Sequence, residues 1–117
     1  MKSELRMSAS FARHERLTRK NDFKRVYEQG EKTVSSSFIL FCYMHRERSY
    51  RRLGITASRK IGNAVTRNRC KRVIREIFRR NKELFPQGAD IVIVVRQSMV
   101  NKPYREALEE LCSNIRQ

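Results

Sequence analysis

Residues 59–80 hold nine cations, Arg59, Lys60, Arg67, Arg69, Lys71, Arg72, Arg75, Arg79 and Arg80, against one acid, Glu76. Guanidinium forks match phosphate oxygens two at a time and stack on bases, which ammonium groups do not. Wound as a helix, the segment puts Cys70, Val73, Ile74, Ile77 and Phe78 on one side. Asn68, Lys71, Arg72, Arg75 and Arg79 share another. Arg67 projects into the apolar sector, so either its stem runs along the core or contacts outside a regular helix set the first turn. A solvated charged face normally mixes signs in i, i+4 pairs. This one does not. Like charges so close repel and destabilise the helix unless a polyanion neutralises them. The chemistry indicated is phosphate recognition.

Other chemistry is thin. Cys42, Cys70 and Cys112 are far apart and form no C-x-x-C pair, so neither a zinc site nor a disulfide framework is expected. They read as buried or half-buried thiols in a reducing cytosol. His14 and His45 lack companions at metal-ligand spacing and read as surface residues. Asp22 and Asp90 are the only aspartates. There is no Gly-rich phosphate loop, nucleophile elbow or recognisable carboxylate pair, so no hydrolytic site of the protein's own is expected.

The whole chain repeats the bias of its central segment. Over 117 residues the formal net charge is +15 and the pI about 10.7. That length suits one domain, whose folding buries roughly two-thirds of the unfolded surface. Apolar runs fall far short of the ~18–20 residues of a membrane span, and no secretory signal pattern opens the chain. The charge favours a polyanion, nucleic acid before an anionic membrane. A membrane-binding helix would need its apolar face free of the core, and a DNA reading lacks a helix-turn-helix pair.

The elements that must carry these residues follow from periodicity. Residues 1–16 are polar and basic without period and read as a flexible arm ahead of a domain over 17–117. Phe23, Val26 and Tyr27 recur at helical spacing, with Thr18 or Asn21 as cap and Gly30 as stop. Residues 33–37 suggest a short strand, and 38–44 an apolar strand buried on both faces. Residues 45–51 are a charged loop. In 52–58, Leu53, Ile55 and Ala57 share one face, while Gly54, Thr56 and Ser58 make a small polar face suited to a ligand. The cationic helix starts at an Asn63 cap and runs to about Leu84 before Pro86-Gln-Gly88. Residues 90–96 form a central strand, and a last helix starts near Pro103 with a stripe of Tyr104, Ala107, Leu108, Leu111, Cys112 and Ile115. Strand, helix and strand between 52 and 96 suggest a parallel pair with a crossover.

The stretch Lys60-Ile-Gly-Asn-Ala-Val-Thr-Arg-Asn-Arg-Cys-Lys-Arg-Val-Ile-Arg-Glu76 closely resembles the signature of the bacterial ribonuclease P protein family, with Arg67-Asn68-Arg69 as its hallmark. Leu17, Asn21-Asp22-Phe23, Val26-Tyr27, Gly30 and residues 52–60 match as well, so the resemblance covers about residues 15–112. Cys70 and Tyr27 depart slightly from the pattern, and the N-terminal arm is long for it.

The resemblance implies an α+β fold: a single-domain α/β sandwich in the order α-β-β-β-α-β-α, with a left-handed β-α-β crossover against the usual preference. It implies a subunit that binds a catalytic RNA and the single-stranded leader of precursor tRNA. The RNA, with Mg2+ held mainly by it, hydrolyses the phosphodiester in the cytoplasm. No membrane and no obligate protein partner are expected. Residue by residue, Arg67, Asn68, Arg69, Lys71, Arg72 and Arg75 would dock on the catalytic RNA. The leader surface would comprise Phe23, Tyr27, Arg52, Thr56, Ser58, Arg59, Lys60 and Arg96, with Phe23 equally readable as core. The competing reading is a general RNA-binding protein of similar build.

Overall fold

The computed structural model describes residues 12–45 and 47–115. Its elements are α1 (Lys20–Gln29), β1 (Glu31–Val34), β2 (Phe38–Met44), β3 (Arg52–Thr56), α2 (Ala64–Arg80), β4 (Ala89–Val95) and α3 (Tyr104–Ile115). The sheet order is β1-β2-β4-β3. β2 pairs antiparallel with β1 and with β4, and β3 pairs parallel with β4. The parallel pair bridged by α2 is therefore as expected, as is the α-β-β-β-α-β-α order.

Strand alternation divides the side chains. Phe38, Leu40, Leu53, Ile91, Ile93 and Val95 are buried on one face, against Cys70, Ile74, Ile77 and Phe78 of α2 and Ala107 and Leu111 of α3. Among the described residues the other face is covered by α1 and by Leu17, and Val26 of α1 is fully buried with Leu17 and Val92. A ten-residue helix is too narrow to cover four strands. That leaves Ile39, Phe41 and Tyr43 half-buried, so β2 is not sealed on both faces as its composition suggested.

Several boundaries move for local reasons. The first strand is Glu31–Val34, because Ser35–Ser37 form the turn, with the Ser35 amide donating to the Phe38 carbonyl at 2.8 Å. α2 stops at Arg80 and not near Leu84: Asn81 leaves helical geometry and its Nδ2 donates to the Ile77 carbonyl at 2.9 Å. α1 is capped by Arg19, with no side-chain bond, in place of Thr18 or Asn21. Gly30 ends α1 without a left-handed φ. Its value there is closeness, since a Cβ would lie 2.6 Å from the Val26 carbonyl oxygen and 3.0 Å from that of Cys42.

Residues 12–16, expected in the flexible arm, belong to the fold. Arg13–Glu15 form a 3-10 turn, and Glu15 is buried with Lys82 Nζ 2.8 Å from its carboxylate. Arg16 bridges to Leu53, and the Leu17 amide donates to the Leu53 carbonyl at 2.9 Å. A partner 67 residues away is invisible to a local charge count. The rest of the proposed arm, residues 1–11, lies outside the described residues.

Glu110 ties the β1–β2 turn to α3. It accepts from Ser35 Oγ at 2.5 Å, the Ser37 amide at 2.8 Å and Lys102 Nζ at 3.0 Å. Burial opposes its ionisation, but these bonds outweigh burial and lower its pKa to about 2. A depressed folded-state pKa contributes stability above the unfolded value near 4.5, lost as pH falls towards about 2. Urea midpoints of wild type and Glu110→Gln should therefore differ most above pH ~5 and converge only as pH falls to about 2. A gap independent of pH would refute the ionised linkage.

Candidate nucleic-acid interface

The cationic helix starts where the sequence placed it. The Asn63 side chain accepts from the Thr66 amide at 2.9 Å, closing the first turn of α2. Asn68, Arg69, Arg72 and Arg75 are exposed; Arg67 and Lys71 are half-buried. Arg67 Nε is buried without a hydrogen-bond partner, which agrees with its projection into the apolar sector. The one acid of the helix, Glu76, is engaged by Arg79 and Arg80, and the Arg79 hydrogen bond holds its carboxyl below the ordinary value. Among the described residues, no carboxylate pairs with Arg67, Arg69, Lys71, Arg72 or Arg75. Five cations on one helix thus repel one another without an internal counter-charge.

The second surface lies on the sheet face that α1 only partly covers. Arg52, Gly54 and Thr56 of β3 register with Asp90, Val92 and Val94 of β4, and Phe41 and Ile39 of β2 lie beside Val92 and Val94. The Phe23 ring rests on Gly54, where a Cβ would come 2.5 Å from its Cζ. Any larger residue at 54 would lift the ring off the strand. Phe23 is half-buried, packing against the minor core and also forming the wall of the open face. Tyr27 is 39% exposed and meets Phe41 edge-on, with centroids 4.9 Å apart. Lys32 Nζ stands 5.8 Å from the Phe41 centroid. Half-exposed rings beside cations suit stacked bases with phosphates alongside. Thr56 is half-buried at the margin, Ser58, Arg59 and Lys60 are exposed in the turn leading to α2, and Arg96 is exposed with Nη1 donating to the Ser35 carbonyl at 2.7 Å.

Arg52, expected on the leader surface, is tied into the fold by ion pairs. Its Nε and Nη2 grip the two oxygens of Asp90 at 2.8 and 2.7 Å, and its Nη1 reaches Asp22 of α1 at 3.3 Å. Arg48 Nη2 adds a 2.6 Å bond to Asp90 and His45 Nε2 a 2.9 Å contact. Asp90 has no solvent exposure. Burial works against its charge, but the bonds from Arg52 and Arg48 hold its carboxyl below the ordinary value. Arg52 is therefore already engaged by two carboxylates and positions α1. His45 is not a free surface residue either: it lies against Asp90 and edge-on to Tyr43 at 4.9 Å. His14 is exposed, edge-on to Tyr50.

Sequence reasoning missed Phe41, Lys32 and the Asp90 cluster. Parity within β2 carries the signal for Phe41, since Phe38 and Leu40 face the main core and Phe41 must face away. The continuous apolar run obscured it. The cationic row on α2 and the aromatic row on α1 and β2 lie on opposite faces of the sheet, and Arg75 and Phe23 line a common cavity at the edge of β3. No three His, Cys, Asp or Glu side chains among the described residues form a metal-holding group. Both aspartates are held by arginines, so this donor set does not fit Mg2+. Burial, reinforced at Cys42 by Glu31 and Asp90, raises the thiols of Cys42 and Cys70, so neither is poised as a thiolate.

A family model described as ribonuclease P matches residues 11–117. The ribonuclease P protein component of Maridesulfovibrio salexigens is 47% identical over 102 residues, which cover 86% of this chain and 82% of that one. That of Thermotoga maritima is 41% identical over 93 residues, 80% of this chain and 79% of the relative. The solved Thermotoga maritima RNase P protein superposes with a TM-score of 0.78 at 34% identity, covering 88% of this chain and 97% of that one. The Staphylococcus aureus RNase P protein gives 0.79 at 31% identity, covering 87% and 93%.

Removing the carboxylate at the centre of the Asp90 cluster leaves Arg48 and Arg52 without their buried counter-charge. Asp90→Ala should cost about 3–5 kcal/mol in urea unfolding. A loss below about 1 kcal/mol would put these bonds in the class of surface ion pairs.

Proposed function

The chain belongs to the ribonuclease P protein family, and from that membership we propose how it serves as the protein subunit of the ribonucleoprotein that processes precursor tRNA. The partner RNA carries out the hydrolysis and holds the Mg2+, while the protein holds the two RNAs together. The observation that carries this reading is the set of five cations on α2 that pair with no carboxylate among the described residues, on a helix whose opposite side is core. Such a face is stabilised by a polyanion.

Arg67, Asn68, Arg69, Lys71, Arg72 and Arg75 dock on the catalytic RNA, through guanidinium forks on phosphates. The leader lies on the open sheet face, with Tyr27, Phe23 and Phe41 as stacking surfaces and Lys32, Thr56, Ser58, Arg59, Lys60 and Arg96 at its margins. Arg52 acts there by fixing α1 and not as a phosphate ligand. Stacking and phosphate contacts tolerate many sequences, so leader recognition is only weakly sequence-dependent. No described helix is long and apolar enough to cross a membrane. The site of action is the cytoplasm, where tRNA is processed.

Purified protein added to the cognate catalytic RNA and precursor tRNA at low Mg2+ should raise the cleavage rate. No increase, with RNA affinity retained, would leave a general RNA-binding protein. Arg67→Ala, Arg69→Ala and Arg72→Ala together should weaken catalytic-RNA binding. The slope of log K against log salt should flatten by roughly 0.7–0.9 for each phosphate no longer neutralised. An unchanged slope would mean a merely solvated face. Tyr27→Ala should cost ~1–3 kcal/mol in precursor binding and spare mature tRNA. Equal losses for the two would assign Tyr27 to the fold.

A further inference from the structure

β3 is an edge strand, and its outer side is only half closed. Its one neighbour in the sheet is β4. On the outer side a single bridge joins Arg16 to Leu53, with the Leu17 amide donating to the Leu53 carbonyl. The peptide groups of Leu53 therefore face outward. Alternation along the strand turns the N–H and C=O of Ile55 to the same side. The chain at Thr18 has by then turned towards α1, and among the described residues nothing bonds these two groups.

Beside them is a cavity of about 370 Å3, lined among others by Arg16, Thr18, Phe23, Gly54, Ile55 and Arg75. That volume lies within the range of small-ligand sites, roughly 300 Å3 upward. Its chemistry is composite. The Ile55 backbone offers one donor beside one acceptor. Phe23 supplies an aromatic wall, held flat by Gly54. Arg75, exposed on α2, and Arg16, on the incoming chain, supply positive charge.

We propose that this cavity takes one unstacked RNA nucleotide, its base edge on the Ile55 peptide groups and its flanking phosphates towards Arg75 and Arg16. Every nucleobase presents a donor beside an acceptor on its pairing edge, which is the pattern a free strand edge complements. A backbone reader has no side chain to tune, so it gives a graded base preference. The cavity touches both RNA surfaces: Arg75 belongs to the cationic helix, and Phe23 to the leader face. The nucleotide therefore comes from either the leader or the docked catalytic RNA. The inference rests on the RNA-binding reading above and adds a distinct subsite to it.

Thr18 is exposed at the cavity and belongs to neither RNA surface, so Thr18→Trp fills the space. In the full chain labelled with 15N-isoleucine, titration with an eight-nucleotide single-stranded RNA should shift the Ile55 amide resonance to saturation. Thr18→Trp should abolish the shift, and Thr18→Leu, which fills less, should reduce it. In the assembled enzyme, abasic substitution along the leader should weaken wild-type precursor binding fivefold or more at one position, and less than twofold there in Thr18→Trp. If the variant loses affinity for the catalytic RNA instead and keeps the wild-type abasic profile, the nucleotide is the catalytic RNA's and the subsite stands. A silent Ile55 amide, with Thr18→Trp binding both RNAs as wild type does, overturns the proposal. Equal affinity of wild type for precursor and mature tRNA would overturn the leader face alone, leaving the Ile55 amide to decide the subsite.

Discussion

A carboxylate without solvent exposure, Asp90, organises one end of the sheet. It stands in β4, the strand with β2 on one side and β3 on the other, where an isolated ionised group would cost far more than the fold can supply. Arg52, Arg48 and His45 make it tolerable, and each brings a different piece of chain with it. Arg52 fixes the entry to β3 opposite Asp90 in the parallel register. Arg48 and His45 fold the charged loop after β2 back over the strand end. Through Asp22 the same Arg52 guanidinium reaches α1, which packs on that face of the sheet. The angle at which Phe23 and Tyr27 are presented thus depends on an ion cluster that touches neither ring.

This separates two kinds of arginine that composition treats alike. Arg48 and Arg52 are compensated inside the protein, and Lys82 and Lys102 likewise hold Glu15 and Glu110. On α2, Glu76 engages Arg79 and Arg80, but Arg67, Arg69, Lys71, Arg72 and Arg75 pair with no carboxylate among the described residues. A +15 net charge is therefore not a uniform coat. Away from α2, Arg48, Arg52, Lys82 and Lys102 join elements of the fold, whereas those five cations on α2 have no carboxylate partner among the described residues. Self-repulsion there makes the free chain less stable than its core alone would make it, and any bound polyanion returns that stability by mass action.

How far the sequence revealed this depended on the range of the interaction. The helical stripes of α1, α2 and α3 and the inward face of Leu53, Ile55 and Ala57 were readable, because they follow from local period and from burial on one side. The Arg67 exception was also visible: its wheel position left a stem along the core as one of two readings, and Nε is buried. Beyond the shifted element boundaries, which are local, the missed contacts had distant partners. Glu15 meets Lys82, Arg52 meets Asp90 38 residues on, and Phe41 meets Tyr27 across two elements. Gly30 was expected to stop α1 and does, but its close approach to Cys42 is something only the folded packing reveals.

The same closeness explains why core and interface share atoms at Phe23. With no side chain at Gly54, the ring lies on the strand itself and seals Leu17 and Val92 beneath α1. One edge stays in solvent because α1 is short and the sheet wide. A ring held this way has almost no rotamer freedom left to lose when a base stacks on it, so the ordering cost of binding falls largely on the RNA. The arrangement binds folding and recognition to one residue pair. A larger residue at 54 would lift the ring, loosen α1 and reshape the cavity that Phe23 and Gly54 both line. Neither the aromatic wall nor the strand edge can therefore be altered without changing the other.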